Sequence, residues 1–315
     1  MESVQQTLFR QLDAVEKLAK AVKMRRLWAH PFRYVYAFIF RKWIYPITRK
    51  GVVQQVRTFF DLPMYLVLPA STDIYLTSGK PHPSEIRLAR LLIQQLHPGD
   101  TFVDIGAHFG YFSLLASVLV GETGTVYAFE ASRSTFQLLQ KNTDHLTNIK
   151  IFNKAVSNSN ENITFYQFPV MYSEYNSMEV GQFAKEGWFK KFKPEATEIE
   201  AITINQLILQ HKITPQIIKI DVEGAEDKVI AGAQEALQTI HPFVVLEYLE
   251  PSRQNEAHRK AAKLLQLTGY QAYSIDEKGE LVLCKDIESY LAAQQLDSDN
   301  IVFVKDYNNL AARIR

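Results

Sequence analysis

Residues 103–110, Val-Asp-Ile-Gly-Ala-His-Phe-Gly, decide how this chain is read. An apolar strand-like run ends at the first glycine, and a helix-like run starts just after the second. Glycines at such a corner let the backbone pass close beneath a ligand, and the helix that follows offers unpaired N–H groups. The spacing is GxxxG. A dinucleotide loop is GxGxxG, and its middle glycine admits the pyrophosphate. His108 occupies that place here and would crowd a phosphate. A nucleoside ligand without phosphate, S-adenosylmethionine, suits the loop better, with Asp104, Gly106, Ala107, His108 and Gly110 around its amino-acid end.

Working outward, strand-like runs at 101–105, 125–130 and 149–153 are separated by helical stretches at 111–120 and 135–146. The rhythm resumes with strands at 217–221 and 243–248 around a helical stretch at 225–237. Such alternation predicts an α/β fold, a doubly wound and mostly parallel sheet of about seven strands. The runs 270–275, 281–284 and 300–305 predict an antiparallel closing segment. A helix is expected over 85–96, and a short hairpin is expected to join 64–68 to 73–77 around Pro69-Ala70-Ser71.

Ligands of doubly wound sheets sit beyond the carboxyl ends of the strands. There the second strand delivers Glu130, a carboxylate suited to two ribose hydroxyls, followed by Ala131. The third leads into residues 153–158, where Ser157 is expected near an adenine edge. The fourth delivers Lys219-Ile-Asp-Val-Glu-Gly-Ala-Glu226, whose Asp221 is the first candidate for a base or acceptor-orienting group. Glu247, at the end of the fifth strand, is the second candidate, and Glu223 follows. Glu223 and Glu226 equally suit the first turn of a helix. An Asp–Glu set also suits a divalent cation, but no metal ligands are assigned. The irregular stretch 163–200 reads as a lid over the acceptor, with Tyr172, Glu174, Tyr175 and Asn176 facing the substrate, or as a structural flap.

The run FVDIGAHFGYFSL, the Glu130 strand end and KIDVEGAE together resemble the FkbM-type methyltransferase family, and YSEYN (172–176) is similar to a motif in some members. The likeness covers roughly residues 85–248. The family's first motif commonly has Asn where this chain has His108. The resemblance implies a class I methyltransferase-like (Rossmann-like) fold, S-adenosylmethionine as cofactor, and methylation of a hydroxyl on a small-molecule, polyketide or sugar acceptor.

The formal charge of +1 conceals an asymmetry. Residues 17–60 hold eleven Lys and Arg and no acid, whereas 61–315 hold 23 basic and 31 acidic residues. A basic, aromatic helical arm (1–60) is thus expected before a methyltransferase domain (61–315). The arm admits three readings: a packed cap, a contact with an anionic membrane surface, or a nucleic-acid contact. The fourth strand lacks the Asp/Asn-Pro-Pro-aromatic clamp of base-methylating enzymes, which argues against nucleic acid. One cysteine, Cys284, allows no intrachain disulfide, and the first twenty residues have no apolar core, so a cytoplasmic protein is expected, with peripheral membrane contact through the arm left open. The rival readings are a nicotinamide-dependent oxidoreductase and a non-catalytic binding module. The oligomeric state is left open.

Overall fold

A computed structural model describes residues 3–169, 176–178, 187, 189 and 193–305. The chain begins with helices α1 (Val4–Lys20), α2 (Lys23–Ala29) and α3 (Pro31–Ile39). A π-helical turn, Phe40–Ile44, leads on to α4 (Tyr45–Thr48). Strands β1 (Val52–Arg57) and β2 (Pro63–Leu68) pair antiparallel, and α5 (Thr72–Thr77) and α6 (Pro83–Gln95) follow. The hairpin expected between 64–68 and 73–77 is therefore wrong. β2 pairs instead with the upstream strand β1, and residues 72–77 are helical. A short apolar run is ambiguous between strand and helix, and its pairing partner is a non-local choice. The boundary drawn at residue 60 falls inside the β1–β2 turn.

The central elements are β3 (Thr101–Ile105), α7 (Tyr111–Val120), β4 (Thr125–Phe129), α8 (Arg133–Thr143) and β5 (Ile149–Phe152). Next come β6 (Ala155–Val156), β7 (Asn162–Gln167), β8 (Glu195–Ile202), α9 (Ile204–His211) and β9 (Ile217–Ile220). The chain continues through α10 (Glu226–Ala231), α11 (Gln234–Thr239), β10 (Phe243–Leu249) and α12 (Glu256–Leu267). It closes with β11 (Gln271–Ile275), β12 (Leu281–Leu283), α13 (Ile287–Gln294) and β13 (Ser298–Val304). The single helical stretch expected over 225–237 is two helices, α10 and α11.

Eight strands form the main sheet in the order β12-β11-β13-β10-β9-β3-β4-β5. β10, β9, β3, β4 and β5 run parallel, while β13, β11 and β12 pair antiparallel. The sheet is one strand larger than the sequence suggested. Side chains alternate between its faces. Phe102, Val126, Val245 and Val302 pack on one side with α1, α6 and α7. Val103, Ile105, Ile218 and Leu246 pack on the other with α9 to α12. Both faces are covered, so the central strands read as unbroken apolar runs. The flanks of the 163–200 insertion form a smaller sheet, β6-β8-β7, beside the carboxyl ends of β4 and β5.

Helix α1 belongs to this body. Ser3 and Gln6 form a capping box at its start, and Leu8, Leu12 and Val15 are buried. Arg90 on α6 donates to Asp13 at 2.8 Å and to Glu16 at 2.6 Å, which ties the two helices together.

Candidate functional site

The carboxyl ends of β3, β4, β9 and β10 open onto one cavity of about 350 Å³. Binding sites for small molecules span roughly 300–1,000 Å³. Gly106, Ala107, His108, Glu130, Ala131, Asp221, Glu223, Glu247 and Asn176 all line it, as does Asp104.

The glycine corner is tightly built. Gly106 and Ala107 both donate their N–H to the Phe129 carbonyl, at 3.0 and 2.9 Å. Gly106 has φ +79°, and a Cβ on it would lie 1.8 Å from the Asp221 carbonyl oxygen. No side chain fits where these two loops cross. His108 also has positive φ, +51°. Asn and His are among the few residues that enter this region readily, which explains how His108 stands where the resembled family commonly has Asn. Burial and the nearby Lys80 push its imidazole down to about 3, so the ring is neutral.

Glu130 lies just past β4. Its Oε1 accepts from Ser132 N at 2.8 Å and its Oε2 from His108 N at 2.9 Å. Each oxygen keeps a second lone pair for a ligand hydroxyl. Burial raises the carboxyl to about 7 against the opposing pull of the two N–H bonds, with Asp104 and Asp221 adding to the rise. Asp104 is fully buried; its Oδ2 accepts from Ser113 Oγ at 2.6 Å, while Oδ1 has no hydrogen-bond partner and lies 3.8 Å from Lys219 Nζ. An orphaned acceptor in a cavity wall calls for a donor from a ligand or a water.

Beside this nucleoside-like side stands a cluster of acids. Asp221, Glu223 and Glu247 bring one carboxylate oxygen each within 4.8 Å of one another. Burial disfavours the charge on Asp221, but Lys219 Nζ at 3.1 Å and Lys80 outweigh it and hold the carboxyl below its ordinary value. Glu247 goes the other way: burial, then the charges of Asp221 and Glu85, raise it to about 7. Oxygen-rich clusters can hold hard cations. Lys219 already supplies a positive charge to this one.

Glu226 has a different task from the one its position in a first helical turn suggests. Its buried carboxylate accepts from Val222 N at 3.3 Å and from Gly224 N at 3.1 Å, and so shapes the loop that carries Glu223. Ser177 Oγ donates to the Glu223 carbonyl at 2.5 Å. His258 Nδ1, from α12, lies 2.9 Å from the Glu247 carbonyl and 3.5 Å from Glu226 Oε2.

Two expected residues lie off the cavity wall. Gly110, at φ +88°, starts α7, and a Cβ there would meet Leu139 at 2.6 Å. It serves helix packing. Ser157 is buried, with its N–H donated to the Ile202 carbonyl, and Lys154, Ala155 and Val156 line the cavity instead. Tyr172, Glu174 and Tyr175 fall outside the described residues. Asn176 lines the cavity, and its Oδ1 accepts from Phe168 N at 2.7 Å.

The sequence reading missed the cations. Lys80, from the segment before α6, bonds Glu85 at 2.9 Å, and Lys80 and Lys219 lie 5.2 and 5.5 Å from the Phe112 ring centre. Lys219 sat within the quoted motif but in a buried strand, where a lysine without a partner is costly. That was the signal available. Lys80 had none, because only the fold brings its loop to the strand ends.

The sequence profile of the methyltransferase FkbM domain matches residues 104–272, more than half of the chain. The hexuronic acid methyltransferase AglP of Haloferax volcanii is 28% identical over 160 residues, which cover 50% of this chain and 59% of that protein. Among solved structures, methyltransferase FkbM from Methylobacillus flagellatus KT is 16% identical, with a TM-score of 0.40 over 74% of this chain and 52% of that one. Precorrin-6y C5,15-methyltransferase from Geobacter metallireducens GS-15 is also 16% identical, with a TM-score of 0.39 over 70% of this chain and 87% of that one.

Proposed function

This chain belongs to the FkbM methyltransferase family, and from that premise we propose that it methylates an oxygen of a sugar-related acceptor with S-adenosylmethionine as donor. The observation that carries the reading is one cavity with two chemically distinct sides. Glu130 and Asp104 offer acceptors to a nucleoside and an amine, and Asp221 and Glu247 line the same cavity beside them, with Lys219 Nζ 3.8 Å from Asp104 and 3.1 Å from Asp221. Gly106 lets the β3 loop cross directly under the Asp221 backbone, which brings Asp104 and Asp221 to the same stretch of cavity wall.

When bound, S-adenosylmethionine supplies a methyl group activated on a sulfonium. The protein's work is to hold the acceptor oxygen in line with it, worth about 7–11 kcal/mol in well-oriented systems. Glu247 is the better proton acceptor for a hydroxyl, since a carboxyl near 7 is half ionised at neutral pH and still basic enough to take a proton. Asp221, held anionic by Lys219, orients a hydroxyl by accepting its hydrogen bond. The sequence put Asp221 first as base or acceptor-orienting group and Glu247 second; Asp221 stays the orienting group, and the base is Glu247. Arg253 lines the rim from the turn after β10 and offers a guanidinium to an acidic sugar, the acceptor type in the Haloferax relative's name.

Radiolabelled S-adenosylmethionine with a panel of neutral sugars and uronic acids tests the proposal. Label should enter a sugar, and mild alkali should leave it in place if the oxygen is a hydroxyl and release it if the oxygen is a carboxylate. No transfer to any sugar, with no affinity for S-adenosylhomocysteine, would overturn the reading.

A further inference from the structure

We propose that the outward face of α2 to α4 is a docking surface for an anionic lipid bilayer. Beyond α1 the chain runs on through α2 to α4, packed on the core by one side. From residue 22 to residue 50 it carries eight Lys and Arg and no Asp or Glu. The inward side of this segment buries Ala37, Phe40 and Tyr45. Phe32, Tyr36, Ile39, Trp43 and Ile47 stay exposed along the same segment. They are 90%, 37%, 43%, 62% and 84% exposed, and Trp28 adds a further 75% from α2.

A run of large apolar side chains this exposed is not the scattered single residue that any surface tolerates; it marks a contact face. Its chemistry selects the partner. Arg41, Lys42 and Lys50 are exposed beside it, and Lys42 Nζ lies 5.4 Å from the Phe38 ring and 6.0 Å from Trp43. Helices that lie in a membrane interface combine basic side chains with Trp, Phe and aliphatic residues, which enter the boundary between headgroups and acyl chains. Anionic headgroups then attract each cation near the surface. Nucleic acid asks instead for aromatic platforms along a groove. Ile39, Ile44 and Ile47 offer no such stacking, but they suit acyl chains. Helix α3 packs on α5, whose Asp73 and Ile74 form part of the cavity wall. The docking face and the cavity therefore share a structural element.

Co-sedimentation of the full chain with vesicles tests this, using phosphatidylcholine alone or mixed with phosphatidylserine. Binding should favour the anionic vesicles by about tenfold or more and fade as salt is raised. A triple variant, Phe32→Ser, Trp43→Ser and Ile47→Ser, should weaken it by about tenfold or more. These side chains are exposed, so melting temperature and affinity for S-adenosylhomocysteine should not move. Arg41→Glu with Lys42→Glu should abolish the preference for phosphatidylserine, and this pair keeps the test valid if the triple variant folds poorly. Equal partition onto both vesicles, or indifference to both variants, would overturn the proposal. So would a wild type that ignores vesicles while single-stranded RNA binds the arm, or while light scattering shows a dimer that the triple variant dissolves.

Discussion

Replacing Glu130 by glutamine tests the nucleoside side of the cavity most directly. The carboxylate accepts one backbone N–H on each oxygen, from Ser132 and from His108, and has one lone pair per oxygen left for a ribose hydroxyl. Glutamine keeps one acceptor oxygen and turns the other atom into a donor facing an N–H. At least one charge-assisted bond to the ligand is lost. Such a bond is worth about 1.5–3 kcal/mol, so S-adenosylhomocysteine should bind about ten- to a hundredfold more weakly. Isothermal titration measures this, with thermal unfolding to verify that the variant is folded. The pH dependence supplies a second reading. Burial holds the unliganded carboxyl at about 7, while hydroxyl donors favour its ionised form, so binding expels a proton at acid pH. Wild-type affinity should fall by up to about tenfold for each pH unit below that value, and the glutamine variant should show no such slope. An unchanged Kd in a folded variant would refute the placement of ribose at Glu130.

Glu247→Gln should lower kcat by about 10²–10⁴-fold with little change in S-adenosylhomocysteine affinity, and the acid limb of the pH–rate profile near 7 should vanish; an unaltered rate removes Glu247 as the base. Gly106→Ala should cost about 2–5 kcal/mol of stability, read by thermal unfolding, because its Cβ meets the Asp221 carbonyl and its φ is positive; a wild-type melting curve would contradict the crossing. Glu130 and Glu247 both titrate near 7 in the fold against an ordinary 4.5. The folded protein therefore binds protons more tightly between those values. Their contribution to stability is full below about 4.5 and lost as pH rises through about 7, and glutamine at either position should flatten that part of the melting-temperature profile.

Much of the site was legible because its signals are local. The Gly106 corner, Glu130 at a strand end and the Asp221–Glu226 turn each follow from a short unbroken apolar run with a sharp stop. Gly110 and Ser157 belong to the same loops yet stand off the cavity wall. A glycine at a corner serves either a ligand or a neighbouring helix, and Leu139 makes Gly110 the second kind. Glu226 shows the reverse case. Its pattern suits a helix start, and only the folded loop reveals that its carboxylate shapes the Val222–Gly224 backbone.

By itself the sequence determined the alternation of strands and helices over 101–153 and 217–248, the glycine corner at Gly106, and the acids that reach one sheet edge. All of these rest on contacts between near neighbours in the chain. Only the tertiary structure sets the two acids apart, because Lys80 and Lys219 arrive from separate elements to favour the charge on Asp221 while burial and that same charge raise Glu247. It also decided that β2 pairs with β1, and that α1 packs on the body while α2 to α4 keep an apolar face toward solvent. Electrostatic fields and burial depend on distance in space, which the spacing of residues along a chain does not encode.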